Sequence, residues 1–129
     1  MLNKLEIHKK RELEFWTFLE KAFEINLKLD LGHFKILCVF LDINDFCEEM
    51  SEKGLSSTEI IEILRTKGIL SKNSQYISGE YLKNYIERDS RVAVHNRIND
   101  LRKLGFGITT KPGPLGGYKL YEFPNWFVQ

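Results

Sequence analysis

Two asparagines lie close together in the C-terminal half of the chain, in a stretch that is typical of a helix. Asn96 and Asn99 are interspersed with apolar residues between Ser90 and Leu104, and Gly105 follows as a natural helix stop. An asparagine amide can make two hydrogen bonds to the N6 and N7 atoms of adenine in the major groove of DNA. These residue types therefore predict contacts to bases.

The helical repeat divides this stretch into a buried face and an exposed face. At 100° per residue, Val94, Ile98 and Leu101 fall within about 60° of one another and form the buried face. The opposite face can meet adenine, a thymine methyl group and a phosphate. It holds Val92, Asn96, Asn99 and Lys103, with His95 at its edge.

Charge is divided unevenly along a chain whose formal net charge is only +1. Residues 1–55 carry 8 basic and 11 acidic residues, net −3, and residues 56–129 carry 11 basic and 7 acidic, net +4. Between residues 90 and 119 one acid, Asp100, faces six basic residues: Arg91, Arg97, Arg102, Lys103, Lys111 and Lys119. We expect an anionic partner to bind this segment. Arg97 lies nearest the buried face, so a structural role for it stays open.

Three short helices and a hairpin are predicted to position these residues. Ser56 and Glu59 form a capping-box pattern, Ser78 is a candidate N-cap, and Asp89 or Ser90 caps the third helix. Gly and Pro residues separate the two strands. The expected elements are helices Ser57–Lys67, Gly79–Glu87 and Ser90–Leu104, then strands Phe106–Thr110 and Tyr118–Phe123. This order is that of a winged helix-turn-helix, whose last helix enters the major groove.

The same segment resembles a known family at an ordered series of motifs. Its S-G-E run at residues 78–80, S-R-V-A-V at 90–94, P-G at 112–113 and G-Y-K-L at 117–120 are similar to the DNA-binding domain of biotin operon repressors and related regulators. The resemblance spans about Thr58 to Glu122. It implies transcriptional regulation, a helix cap at Ser90, a phosphate or base contact at Arg91 and a wing at residues 111–119. With six residues after Phe123, we expect no ligase or biotin-sensing domain.

The N-terminal part is predicted to be two apolar helices. Residues 2–27 carry apolar residues on two faces, which indicates burial on two sides, and residues 31–50 read as a second helix. Residues 35–41 alone fit a buried strand equally well. We expect this part to supply core and a homodimer interface, while a small-molecule site among its aromatic residues remains a weaker alternative. The first face holds Leu13, Trp16, Phe23 and Leu27, and the second holds Phe15, Phe18, Ala22 and Ile25.

The remaining chemistry-bearing residues do not form a site. Cys38, Cys47 and His33 point in different directions on a helix, so we expect buried cysteines, no metal and no disulfide. His95 has no acidic residue at helical contact spacing. No apolar run is long enough to span a membrane, and residues 1–10 are charged with no apolar stretch after them, so we do not expect them to be a secretory signal. We expect a cytoplasmic protein that is not an enzyme and has no cofactor.

Together these patterns predict a mainly α (α+β) protein, a winged helix-turn-helix with a two-helix N-terminal extension. The expected division is residues 1–54, 55–123 and a tail at 124–129. The predicted function is sequence-specific binding of double-stranded DNA by a dimeric transcriptional regulator. The alternative is a winged-helix adaptor for proteins, or a replication or mobile-element protein without sequence-specific regulation. The candidate DNA contacts are Ser90, Arg91, Val92, His95, Asn96, Asn99, Arg102, Lys103, Lys111 and Lys119.

Overall fold

The computed structural model describes residues 4–72, 74–86, 90–113 and 116–127, with side chains from Lys10 onward. Helices dominate these residues, and a small antiparallel sheet completes them, which confirms the predicted winged helix-turn-helix with N-terminal helices. In chain order the elements are α1 (Lys4–Glu24), α2 (Leu31–Glu52), α3 (Ser57–Thr66), β1 (Ile77–Ser78), α4 (Gly79–Tyr85), α5 (Arg91–Lys103), β2 (Gly107–Lys111) and β3 (Gly117–Glu122).

A partly buried ion-pair cluster holds α1 against α2. The Arg11 guanidinium donates to Glu14 at 3.0 Å and reaches across to Asp42 and Asp45 of α2, each at 2.9 Å. Glu14 is buried, and its burial raises the pKa of the carboxyl, an effect that the Arg11 charge opposes. The segment at 35–41 is part of α2, so the strand alternative is wrong there. A 22-residue helix with a buried face outweighs the local strand propensity.

The helix caps explain where the domain's helices begin. The Ser56 side chain accepts from Glu59 N–H, and the Glu59 carboxylate accepts from Ser56 N–H, which confirms the capping box. The Ser78 and Ser90 side chains cap α4 and α5. Ser90 is therefore the cap of the third helix, while Asp89 and Glu87 lie outside the described residues. Helix α4 ends at Tyr85, and Tyr85 itself is exposed.

The sheet has the order β1-β3-β2, with antiparallel pairing throughout. β1 was not predicted, because two residues carry no detectable period. Its Ile77 pairs with Tyr118 and its Ser78 with Gly117. Gly117 has to be glycine, because a Cβ there would lie 1.9 Å from the Ile77 carbonyl oxygen. The close approach of the two backbones fixes the base of the wing beside the start of α4.

A single hydrophobic core joins the N-terminal helices to the winged unit, with buried residues from every helix and from the hairpin. Two residues of the segment that the sequence assigns to a tail, Trp126 and Phe127, pack against it. The Trp126 indole N–H donates to the Leu104 carbonyl at 3.0 Å, and the Phe127 ring lies 5.4 Å from that of Phe106. Cys38 and Cys47 are half-buried rather than buried. None of the described helices is both long enough and apolar enough to cross a membrane.

Candidate nucleic-acid interface

Helix α5 presents one face to the core and the other to solvent, as its sequence predicts. Val94, Ile98 and Leu101 are fully buried. On the opposite side Val92 is 65% exposed, and Asn96 is exposed as well. Lys103 continues this face at the end of the helix, where it lies 3.6 Å from Asp100, and His95 is exposed at the edge. The exposed face of α5 is therefore polar along the whole helix, with Val92 as its one apolar side chain.

The start of α5 brings Arg91 close to α4. The Ser90 hydroxyl accepts from Val92 N–H at 3.0 Å, so it is engaged as a cap. The Arg91 guanidinium lies over Gly79, where a Cβ would come within 2.2 Å of Nη2. The glycine of the S-G-E motif therefore makes room for this arginine. The motif is visible in the sequence, whereas the contact between its glycine and Arg91 is not.

Arg102 connects α5 to the wing. Its Nη1 donates to the Asn99 side-chain oxygen at 2.8 Å, its Nε donates to the Ile108 carbonyl at 3.0 Å, and its Nη2 donates to the Thr110 hydroxyl. Asn99 is only half-exposed, and its oxygen is occupied by this arginine. The two residues thus set the angle between helix and hairpin, a role that their spacing on one helix did not reveal.

The wing carries two cations on exposed positions. Lys111 ends β2 and is exposed, and Lys119 of β3 donates to the Gln75 side-chain oxygen at 3.4 Å. The His95 ring contacts the Tyr118 hydroxyl at 3.4 Å, and burial raises the pKa of that phenol. Gly113 near the wing tip has a φ of +103°. Pro114 and Leu115 lie outside the described residues.

Arg97 points away from the exposed face and binds the N-terminal part of the chain. Its Nε donates to Asp30 Oδ1 at 3.0 Å, and its Nη2 donates to the other carboxylate oxygen. This arginine is structural, the alternative that its position near the buried face left open. The buried His33 completes the contact: its Nε2 lies 2.7 Å from Asp100, and its Nδ1 accepts the backbone N–H of Asp30.

The two apolar faces of α1 have different surroundings. Phe18 and Ala22 of the second face are buried in the core. On the first face Trp16 is 58% exposed and Phe23 is 87% exposed. The exposed side chains of this face follow one another at intervals of three or four residues, and we call them the α1 stripe: Leu13, Trp16, Leu19 and Phe23.

Comparison with known proteins agrees with this geometry. Residues 57–119 match the family described as an HTH domain, so this part of the chain is similar to helix-turn-helix domains. The whole chain is similar to the uncharacterized protein MJ1005 of Methanocaldococcus jannaschii, with 52% identity over 121 residues, which cover 94% of this chain and 92% of the relative. The chain belongs to the same family as this archaeal protein. None of the solved structures gives a significant match.

Proposed function

We propose that the protein is a sequence-specific DNA-binding transcriptional regulator that places α5 in the major groove and the β2–β3 wing on the phosphate backbone. The observation that carries this proposal is the alignment of Val92, Asn96 and Lys103 on the exposed face of α5. Asn96 contacts an adenine, Val92 a thymine methyl group and Lys103 a phosphate. The similarity of residues 58–122 to biotin operon repressors supports the same mode of binding.

The remaining candidate residues have distinct roles in this proposal. Arg91, Lys111 and Lys119 contact phosphates on the two sides of the groove, and His95 lies at its edge. Ser90 acts through the helix start that it caps. Asn99 and Arg102 position the helix relative to the wing, since Arg102 donates hydrogen bonds both to Asn99 and to β2.

We also propose that two copies associate through the α1 stripe, with residues 1–54 as the dimerisation segment. Its four side chains expose on the order of 400 Å² of apolar surface, which is the size of the largest apolar patch on a typical monomer, a patch that is often functional. Two aromatic side chains at its centre and end are suitable anchors for such an interface. A symmetric dimer would present two α5 helices to the two halves of a palindromic site.

Fluorescence anisotropy with a selected DNA sequence and its scrambled counterpart tests the DNA proposal. We expect the selected sequence to bind more than tenfold more tightly. Asn96→Ala should cost about 1–3 kcal/mol on the selected sequence only, and Lys103→Ala should weaken binding to both sequences. Asn125→Ala, an exposed asparagine far along the chain, is the matched control. Equal affinity for both sequences would refute sequence-specific regulation.

Sedimentation velocity tests the dimer. Phe23→Arg places a charge on the most exposed residue of the α1 stripe and should convert the dimer to a monomer without loss of helicity. Thr66→Arg adds the same charge at an exposed position of α3 and should leave the dimer intact. A monomeric parent protein, or a Phe23→Arg protein that remains dimeric, would contradict this use of the stripe.

A further inference from the structure

A cavity of about 490 Å³ lies between α2, α3 and the wing strand β3. Its volume is in the range of pockets that hold small molecules, about 300–1,000 Å³. The walls are mostly apolar and come from separate parts of the chain, among them Phe40 and Ile43 of α2, Leu64 of α3, Leu120 of β3 and Phe123. The apolar walls suit a branched aliphatic or aromatic group.

The polar residues that line the cavity include one acidic and one basic side chain. Asn44 and Glu48 lie four residues apart on α2 and supply a carbonyl oxygen and a carboxylate. Gln75 and Lys119 come from the loop before β1 and from β3, and the lysine donates to the Gln75 side-chain oxygen at 3.4 Å. Because that oxygen is engaged, the Gln75 amide nitrogen is left as a donor beside the ammonium. In the described part of the chain Glu48 has no ion-pair partner.

A ligand that matches this lining has an apolar body, a cation near α2 and an anion near β3. We propose that the cavity binds a hydrophobic α-amino acid as an effector. Its ammonium group is held by Glu48 and Asn44, its carboxylate by Lys119 and Gln75, and its side chain by the apolar walls. Glu48 and Lys119 are both exposed, so a molecule with a single charge would make one charge-assisted hydrogen bond fewer than an amino acid makes.

The position of the cavity connects this ligand to DNA binding. Lys119 and Leu120 belong to β3, the central strand of the sheet and one arm of the wing. A ligand that pairs with Lys119 changes the position of a cation that the proposed function places on the DNA backbone. Linkage requires that DNA change the affinity for the amino acid by the same factor.

Isothermal titration calorimetry without DNA tests the site directly. L-leucine, L-methionine and L-phenylalanine are titrated separately into the full chain, and we expect at least one to bind saturably. 3-Phenylpropionate lacks the ammonium group and 2-phenylethylamine lacks the carboxylate, so each should bind about tenfold or more weakly than L-phenylalanine. Absence of binding by all three amino acids up to about 10 mM would overturn the proposal, since weaker binding carries less than about 3 kcal/mol.

Variants locate the site. Glu48→Gln keeps the size of an exposed side chain and should weaken amino-acid binding about tenfold, with no change in the thermal midpoint of the free protein. Glu12→Gln, at an exposed position of α1 outside the cavity, is the matched control and should bind as the parent does. Equal binding by the Glu48→Gln protein would overturn the assignment. If the amino acid binds but leaves the DNA affinity unchanged, it is not an effector. A change in DNA affinity of about fivefold or more, in either direction, supports an effector role.

Discussion

Asp30 joins the N-terminal part of the chain to α5 through Arg97, and its charge can be removed without removing the cap that it provides for α2. The Asp30 side chain accepts from His33 N–H at the start of α2 and from two nitrogens of Arg97 on α5. Asparagine caps helices as well as aspartate does. Asp30→Asn therefore keeps the cap and removes the charge that Arg97 binds.

The exposure of the two partners sets the expected loss. A charge-assisted hydrogen-bonded pair contributes about 1.5–3 kcal/mol when buried and about 0.2–1 kcal/mol at a surface. The Arg97 side chain is 15% exposed and that of Asp30 is 40% exposed, so screening places the loss between these ranges, at about 1–2 kcal/mol. For a chain of this length that corresponds to a decrease in Tm of about 4–7 °C.

The loss should depend on pH in a defined direction. Hydrogen bonds from Arg97 hold the pKa of the Asp30 carboxyl well below its ordinary value of 3.8. A carboxyl with a lowered pKa in the folded state stabilises the fold fully above its unfolded-state pKa, and this contribution is lost as the pH falls below that value. The difference between parent and variant should thus be equal at pH 7 and pH 5 and smaller at about pH 3.

Thermal and urea unfolding followed by circular dichroism measure this difference. The matched control is Glu62→Gln, which breaks the ion pair with Arg65. Because the Glu62 side chain is 62% exposed, this substitution should lower the free energy of unfolding by less than about 0.5 kcal/mol. If both variants lose the same stability, or if the Asp30→Asn loss does not change between pH 7 and pH 3, the reasoning from burial and charge is wrong.

Three further perturbations test other parts of the structure. Ser56→Ala should cost about 1 kcal/mol in urea unfolding because it removes the α3 capping box, whereas Ser57→Ala should be nearly neutral. Phe127→Ala should cost about 3 kcal/mol, since its ring packs on Phe106 in the core, and a loss below about 1 kcal/mol would contradict that packing. Arg102→Met should speed amide hydrogen exchange in β2 and weaken binding to both DNA sequences; unchanged exchange would show that the wing does not depend on this arginine.

Local signals in the sequence predict most of the fold. The capping box of Ser56 and Glu59 predicts the start of α3, and Gly105 predicts the end of α5. Both signals involve only neighbouring residues, and the structure confirms both. The contact of Asp30 with Arg97 joins residues 67 positions apart, and no pattern at either residue indicates it. β1 is similarly invisible, since a strand of two residues forms only because β3 lies beside it.

The candidate site also has a part that the sequence predicts and a part that it does not. Helical periodicity predicts the exposed face of α5 because it depends only on spacing along one helix. The bond from Arg102 to Asn99 and the packing of Arg91 over Gly79 depend on rotamers and on contacts with other elements. The packing of Trp126 and Phe127 was missed because six residues after a strand carry no period.

The pairing of β1 with β3 also has a consequence for how the chain folds. Ile77 and Tyr118 are about 40 residues apart, so their contact closes a loop that contains both α4 and α5. The β2–β3 hairpin closes a much shorter loop and can form earlier, leaving the two-residue strand to dock last. Gly117→Ala would block that docking, and because the contact forms late, unfolding should become faster while the refolding rate changes little.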